Sequence, residues 1–350
     1  MSRFFSGRYS SLTPYTPGEQ PQNRRYIKLN TNESPFPPSA KAMQRAAEEA
    51  EKLQLYSDPE AKILTKSLAE YYDVSEREVL PVNGSDEALN FAFMAFCDET
   101  KPAAFADITY GFYPVFAQLN RIPFQIIPLK DDFSIDITDY FDLGKTIFIA
   151  NPNAPTGIAL PAADIEEILR HNRGSVVVVD EAYVDFGAES CVPLIHKYDN
   201  LLVVQTFSKS RSMAGARLGF AIGCEELIRD LNTIKYSTNP YNVNRMTMAA
   251  GAAALEDDAY TKSNCQTIIE TRSWFKTELE KLGFTCLDSR TNFLFAKHRS
   301  VGGKLLYEQL KDRGILVRHF EADRIRDFNR ITIGTMDDMK TLVRTLKEIV

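Results

Sequence analysis

The 350-residue sequence predicts an α/β protein with a mainly parallel central sheet and a smaller α+β domain beside it. Short apolar runs alternate with amphipathic stretches through the middle of the chain. Several runs, Val176-Val177-Val178-Val179 and Leu201-Leu202-Val203-Val204 among them, are continuous rather than alternating, the pattern of strands covered on both faces. The length also exceeds what one hydrophobic core usually supports, so a second unit is expected.

The first 35 residues are rich in Pro, Ser, Asn and Gly and read as an extended arm. One short strand is expected over 26–29, and Pro35, Pro37 and Pro38 close the arm. Ser39 can cap a helix over 39–55, which Ala42, Ala46, Ala47 and Ala50 favour. A helix over 60–72 shows Ile63, Leu64, Leu68 and Tyr71 at helical spacing. Strands are then expected over 79–80, 103–105, 125–128, 145–150, 176–179, 201–206 and 219–222, and helices over 87–96, 112–119, 162–172 and 225–234. A long helical region should run from 236 to about 282. A strand over 292–295, a helix over 301–313, strands over 316–318 and 330–333, and a helix over 336–349 complete the chain. This organisation predicts a large domain over 36–260 and a small domain formed by 1–35 with 261–350.

Composition excludes several classes of function. A formal charge of −6 argues against nucleic acid or an anionic membrane as partner. No apolar stretch is long enough to span a bilayer, and residues 1–15 lack the continuous apolar segment of a signal peptide. The five cysteines are scattered, without a CxxC pair, and read as reduced thiols of a cytoplasmic protein. The four histidines are far apart, so no metal site is expected. There is no G-x-S-x-G elbow, G-x-G-x-x-G fingerprint or P-loop.

The chemistry concentrates at strand ends. Asp180 ends the four-valine run and Lys209 follows the next apolar run, so both should project into one cleft. A lysine used for Schiff-base chemistry needs a partly desolvated site near other positive charge; Arg211 and Arg217 lie close in sequence. On position alone Lys209 reads as a solvated loop lysine, while for Asp180 capping of the next segment is the lesser alternative. Together they fit an aromatic cofactor. A carboxylate is costly to bury without a cation, and a protonated pyridine nitrogen would be one. Tyr183 could donate to the ring's phenolate oxygen. Gly84, Ser85 and Asp86 lie at a strand-to-helix junction whose backbone N–H groups can bind phosphate, with the Asp86 side chain turned outward. Residues 151–157 form a Pro- and Gly-containing turn at a strand end, where ligands bind in open α/β sheets, and Tyr110 could stack on a ring. The candidate cofactor is pyridoxal phosphate (PLP).

These segments resemble the fold-type-I PLP-dependent aminotransferases, and among them the histidinol-phosphate aminotransferase family. The resemblance spans the whole chain and rests on Pro14-Tyr15-Thr16-Pro17-Gly18, Leu29-Asn30-Thr31-Asn32-Glu33-Ser34-Pro35, Tyr56-Ser57-Asp58-Pro59, Asn83-Gly84-Ser85-Asp86-Glu87, the 151–157 turn, Asp180-Glu181-Ala182-Tyr183, Ser208-Lys209-Ser210 with Arg217, Pro240-Tyr241-Asn242-Val243-Asn244 and Arg330-Ile331-Thr332-Ile333-Gly334. It implies that Lys209 is the Schiff-base lysine and proton shuttle, that Asp180 holds the ring nitrogen and Tyr183 its O3′ oxygen, and that Tyr110 stacks on the ring. Ser208, Arg217 and the Gly84, Ser85 and Asp86 amides would hold the phosphate. Tyr56 would reach the cofactor of a partner subunit, which implies a homodimer. Tyr15, Asn32, Arg318 and Arg330 would bind the substrates, histidinol phosphate and glutamate or 2-oxoglutarate. Most of the wider superfamily has an asparagine where this chain has Ala154, so Asn153 is the candidate for the second O3′ contact. An aromatic amino acid aminotransferase and a threonine phosphate decarboxylase share most of these motifs and stand as alternatives.

Overall fold

The computed structural model describes residues 2–350. A short strand, β1 (Ile27–Lys28), precedes helices α1 (Ala40–Ala50) and α2 (Lys62–Tyr72). The Ser39 hydroxyl accepts the Ala42 N–H and caps α1. The alternating region comprises β2 (Val79–Val82), α3 (Ser85–Phe96), β3 (Ala103–Ala106), α4 (Tyr113–Asn120), β4 (Phe124–Ile127), β5 (Thr146–Ala150), α5 (Ala162–His171), β6 (Val177–Asp180), β7 (Leu201–Thr206) and β8 (Gly219–Gly223). Helices α6 (Glu225–Thr238), α7 (Arg245–Glu256) and α8 (Asp258–Lys281) come next. The chain ends with β9 (Phe284–Cys286), β10 (Phe293–His298), α9 (Gly303–Asp312), β11 (Ile315–Leu316), β12 (Arg318–His319), β13 (Phe328–Thr332) and α10 (Met336–Lys347).

The central sheet has the order β2-β8-β7-β6-β5-β3-β4. Only β8 runs against the others. Parallel neighbours need a long crossover, usually a helix, whereas an antiparallel neighbour can return directly. The β7–β8 connection, 207–218, is such a direct return, and it carries Lys209.

The strand residues divide by parity, as pleating requires. Ile147, Ile149, Val177, Val179, Leu201 and Val203 share one core with Leu64 and Leu68 of α2, Ile165 and Ile168 of α5 and Met248 of α7. Phe148, Val178, Leu202 and Val204 share the other with Leu89 and Phe93 of α3, Phe116 of α4 and Leu231 of α6. Both faces are covered, which explains why these strands read as unbroken apolar runs.

A four-stranded antiparallel sheet, β12-β13-β10-β9, packs with α8, α9 and α10 around a third core containing Phe275, Leu294, Leu310, Ile331 and Leu342. Leu29 of the arm is buried in that core, and β1 pairs in parallel with β11. The structure departs locally from expectation, beginning with α1, which stops at Ala50 rather than running to 55. The helical region beyond 236 is broken at 239–244, because Pro240 has no N–H to donate and Asn244 starts a new helix by accepting the Thr247 N–H. The strand expected over 316–318 is split, its first part pairing with β1 and Arg318 with β13. Finally, β9 has no continuous apolar run to announce it.

Candidate active site

At the carboxyl ends of β5, β6 and β7 lies a cavity of about 430 Å³. Its lining includes Asp86, Asp180, Tyr183, Ser208, Lys209 and Arg217. A second lobe of about 450 Å³ shares Tyr110, Ala154, Tyr183 and Lys209 with the first, and adds Tyr15, Asn32, Arg318 and Arg330.

Asp180 is 5% exposed. The Tyr113 hydroxyl donates to its Oδ2 at 3.1 Å and the Ala182 N–H to its Oδ1 at 3.2 Å. Burial nevertheless pushes its carboxyl up to about 7, against those two bonds. Lys209 is half-buried, its Nζ donating to the Thr31 carbonyl at 3.3 Å and lying 5.8 Å from the centre of the Tyr183 ring. Burial lowers the Lys209 amine to about 8; the Arg330 charge adds to this, while Glu33 and Asp86 oppose it. A primary amine poised near neutrality beside a desolvated acid is suited to nucleophilic addition and proton transfer.

An anion cup lies beside them. Gly84 precedes α3 with φ +80, and a Cβ there would meet Arg217 Nη2 at 2.5 Å. A Cβ on Gly219 would meet the Ser85 nitrogen at 2.4 Å, a backbone contact that cannot yield. Only glycine lets β8 and the start of α3 come this close. Arg217, itself at φ 55, reaches Asp86 Oδ2 at 3.3 Å. Asp86 therefore does not point outward as expected: its carboxylate bridges Arg217 and the Tyr110 hydroxyl, which donates at 2.6 Å. Ser208 is buried, its hydroxyl accepting from Thr206 Oγ1 at 2.9 Å.

In the second lobe, Arg318 and Arg330 are direct cross-strand partners on β12 and β13. Like charges in that relation repel. Arg318 donates to the Thr16 and Pro17 carbonyls, and Arg330 Nη2 to the Asn30 carbonyl at 3.2 Å. The Nε of Arg330 is buried without a partner. Burial lowers the Arg330 pKa, and the neighbouring Arg318 charge lowers it further. Tyr15 stacks on Phe112 with ring centres 4.3 Å apart.

Asn153 is placed differently from its expected role. Its Nδ2 donates to the Ile108 carbonyl at 2.9 Å and to Thr156 Oγ1 at 3.0 Å, and its Oδ1 accepts from Thr109 at 2.8 Å. The side chain is spent bracing its own loop, while Pro152 and Ala154 face the cavity. Tyr56 lies outside this chain's cleft, 81% exposed and stacked on Tyr241. Asn32 contacts Tyr183, its Nδ2 donating to the hydroxyl at 2.9 Å. Sequence reasoning gives no role to Tyr113; the available signal is a tyrosine one helical turn beyond Tyr110, since a buried tyrosine hydroxyl needs a partner.

Among the described residues no cluster of metal-ligating side chains occurs, and no helix is long and apolar enough to cross a membrane. The family model for aminotransferase class I and II matches residues 24–346. The chain is 49% identical over 352 residues to a histidinol-phosphate aminotransferase of Brachyspira hyodysenteriae, covering 100% of this chain and 99% of that one. It is 51% identical to a histidinol-phosphate aminotransferase of a Marinomonas species, with 100% of both chains covered. The solved histidinol-phosphate aminotransferase of Sinorhizobium meliloti, in complex with pyridoxal-5'-phosphate, has the same fold, with a TM-score of 0.90 over 100% of this chain and 99% of that one at 22% identity. The chain belongs to the class I and II aminotransferases, within the histidinol-phosphate aminotransferase family.

Proposed function

We propose that this protein carries out PLP-dependent transamination of L-histidinol phosphate with 2-oxoglutarate, giving imidazole acetol phosphate and glutamate, a reaction of histidine biosynthesis. The observation that carries the reading is the half-buried Lys209 amine, poised between the buried Asp180 acid and the cup formed by α3 and Arg217. The cleft fits PLP: Asp180 lacks a cationic partner that the pyridinium nitrogen would provide, and the cup supplies backbone N–H groups and a guanidinium for phosphate. Bound there, PLP supplies the electron sink that stabilises negative charge at the substrate's α-carbon.

The chain's own residues do the rest. Asp180 holds positive charge on the ring nitrogen. Lys209 anchors the cofactor, then takes the α-proton and returns it, with a pKa that allows both at neutral pH. Ser208, Arg217 and the Ser85 and Asp86 amides hold the phosphate, Gly84 contributing room rather than a donor because its own N–H goes to the Val82 carbonyl at 2.9 Å, and Tyr110 covers the ring. The Arg318–Arg330 pair, repulsive when no anion lies between its members, receives the substrate carboxylate and phosphate, with Tyr15 at the rim. Tyr56, stacked on exposed Tyr241 and following exposed Leu53 and Leu55 in the chain, presents an apolar surface suited to a second copy whose phosphate it would reach; the active form is therefore a homodimer. With a large domain over 36–260 and a small one over 1–35 with 261–350, the substrate lobe lies between the two.

Lys209→Ala should lower turnover more than ~1,000-fold while leaving the fold intact, and near-normal turnover would sink the assignment. Incubation with glutamate alone should release about one equivalent of 2-oxoglutarate per chain, as a two-stage exchange requires. A steady-state comparison of histidinol phosphate, phenylalanine and threonine phosphate then tests the substrate: carbon dioxide from threonine phosphate would favour a decarboxylase, and preference for phenylalanine an aromatic aminotransferase.

A further inference from the structure

We infer that Asn32 is a positioning residue for Tyr183: by donating to the Tyr183 hydroxyl oxygen, it aims that hydroxyl's own proton into the cleft. The inference rests on the reading of the cleft as a PLP site and concerns how that site is tuned.

Asn32 is 1% exposed and has φ 56, a backbone region that asparagine tolerates better than most residues with a side chain. Its N–H donates to Thr332 Oγ1 at 3.0 Å, and its carbonyl accepts from Asn292 Nδ2 at 2.9 Å. The Thr332 hydroxyl has one proton and donates it to Asn32 Oδ1 at 3.0 Å. Thr332 is buried, so reversing the Asn32 amide would leave that proton without its acceptor. The amide is thereby fixed with its NH2 group toward Tyr183, where it donates to the hydroxyl at 2.9 Å.

A tyrosine hydroxyl has one proton to give. With its oxygen accepting from Asn32, that proton must go elsewhere, and among the described residues no protein atom receives it. Tyr183 faces both lobes of the cleft. The adjoining wall is Ala150, Pro152, Ala154 and Ala182, none with a side-chain donor, and Asn153 is committed to its loop. Tyr183 is therefore the donor available on this wall to an acceptor on the ring. The charged groups facing it are Lys209, Arg330, Asp180 and Asp86. Burial raises the Tyr183 pKa, against Arg330 and the Asn32 bond, so the hydroxyl keeps its proton at neutral pH. Asn32 itself is tied to β13, so the arm and the second sheet orient a group on the first.

The test is the apparent pKa read from the visible absorption of the cofactor-loaded protein. A hydrogen bond to the ring's phenolate oxygen stabilises its negative charge and makes the Schiff-base nitrogen on Lys209 less basic; losing the bond raises that pKa. Asn32→Gly, which accepts the positive φ, should raise it by about half a unit, and the isosteric Asn32→Asp, which turns the donor into an acceptor, by about one unit. Tyr183→Phe should raise it by a similar amount, and adding Asn32→Gly to it should change nothing further. An unshifted pKa in Asn32→Gly, or the same increment persisting in the Tyr183→Phe background, overturns the inference. Should Asn32→Gly melt below the assay temperature, Asn32→Asp is read in the same way, with a residual increment in Tyr183→Phe as large as in the parent overturning it. If the parent shows no visible band and borohydride fixes nothing on Lys209, the PLP reading itself has failed, an outcome distinct from an unshifted pKa.

Discussion

Asp180 and Glu181 are neighbours at the end of one strand, both buried, both with carboxyls pushed up to about 7 by that burial. Their surroundings differ sharply. Glu181 points to the far side of the sheet and is answered by protein: Ser190 Oγ at 2.7 Å, the Cys191 N–H at 2.5 Å and Gln205 Nε2 at 2.8 Å. Asp180 points into the cleft with two donors and open space before it. The same local chemistry thus yields a structural anchor on one side and a ligand-seeking charge on the other. Burial alone does not mark a functional acid; incomplete compensation at a cavity wall does.

Exchanging each acid for its amide separates the two roles most directly. Asp180→Asn should lower kcat by about 1,000-fold, the scale of losing one preorganised electrostatic partner of the reacting system. Glu181→Gln should leave kcat within about tenfold and instead lower the melting temperature, since its amide NH2 would face donors. Equal kinetic losses in the two variants would erase the distinction.

A second test uses pH. Both carboxyls have folded pKa values raised above their unfolded ones, so the folded state binds more protons between about pH 4 and 7. Their contribution to stability is fully present below the unfolded pKa and is lost as pH rises through about 7. For Asp180 the loss should amount to roughly a few kcal/mol in the cofactor-free protein, and urea midpoints at pH 5 and pH 8 measure it. Asp180→Asn should remove its share of that loss, and so should loading with PLP, whose ring nitrogen would keep Asp180 charged. Glu181→Gln should remove its share whether or not cofactor is present. A pH slope unaffected by either substitution would contradict the burial argument.

The smallest expected effect is that of Tyr113→Phe. It deletes one of the two donors to Asp180 without touching the cleft wall, and should weaken PLP retention by about 10- to 100-fold, the worth of one hydrogen bond to a charged group. Equilibrium dialysis of the cofactor checks it, and unchanged retention would show that the Ala182 N–H suffices.

The two acids also show what a sequence reveals. The valine run ending at Asp180 makes both the strand and the acid legible, because continuous apolar runs report burial on both faces. The Lys209 loop is legible for a related reason: β6 and β7 are parallel neighbours whose ends lie within two residues of each other, so the segments beyond their carboxyl ends share a cleft. Asn153 is not legible. Its partners Ile108 and Thr109 come from more than forty positions away, and nothing local says that they will claim its amide. Asp86 escapes in the same way, since the helix start alone argues for an outward turn while Arg217 and Tyr110 draw it in. Likewise, Pro240 announces the break at 239–244, yet the helix-favouring stretches on either side mask it.

Gly219 sets the start of two loops at once. In the sheet register it lies opposite both Val82, the last residue of β2, and Thr206, the last residue of β7. A single position thus gauges where two loops begin, one leading to Ser85 and one carrying Lys209. Surface loops usually accept insertions, but the 207–218 connection acts as a ruler. Adding or removing one residue there would displace Lys209 against the cup or bring a residue with a side chain to the place where only a bare backbone fits.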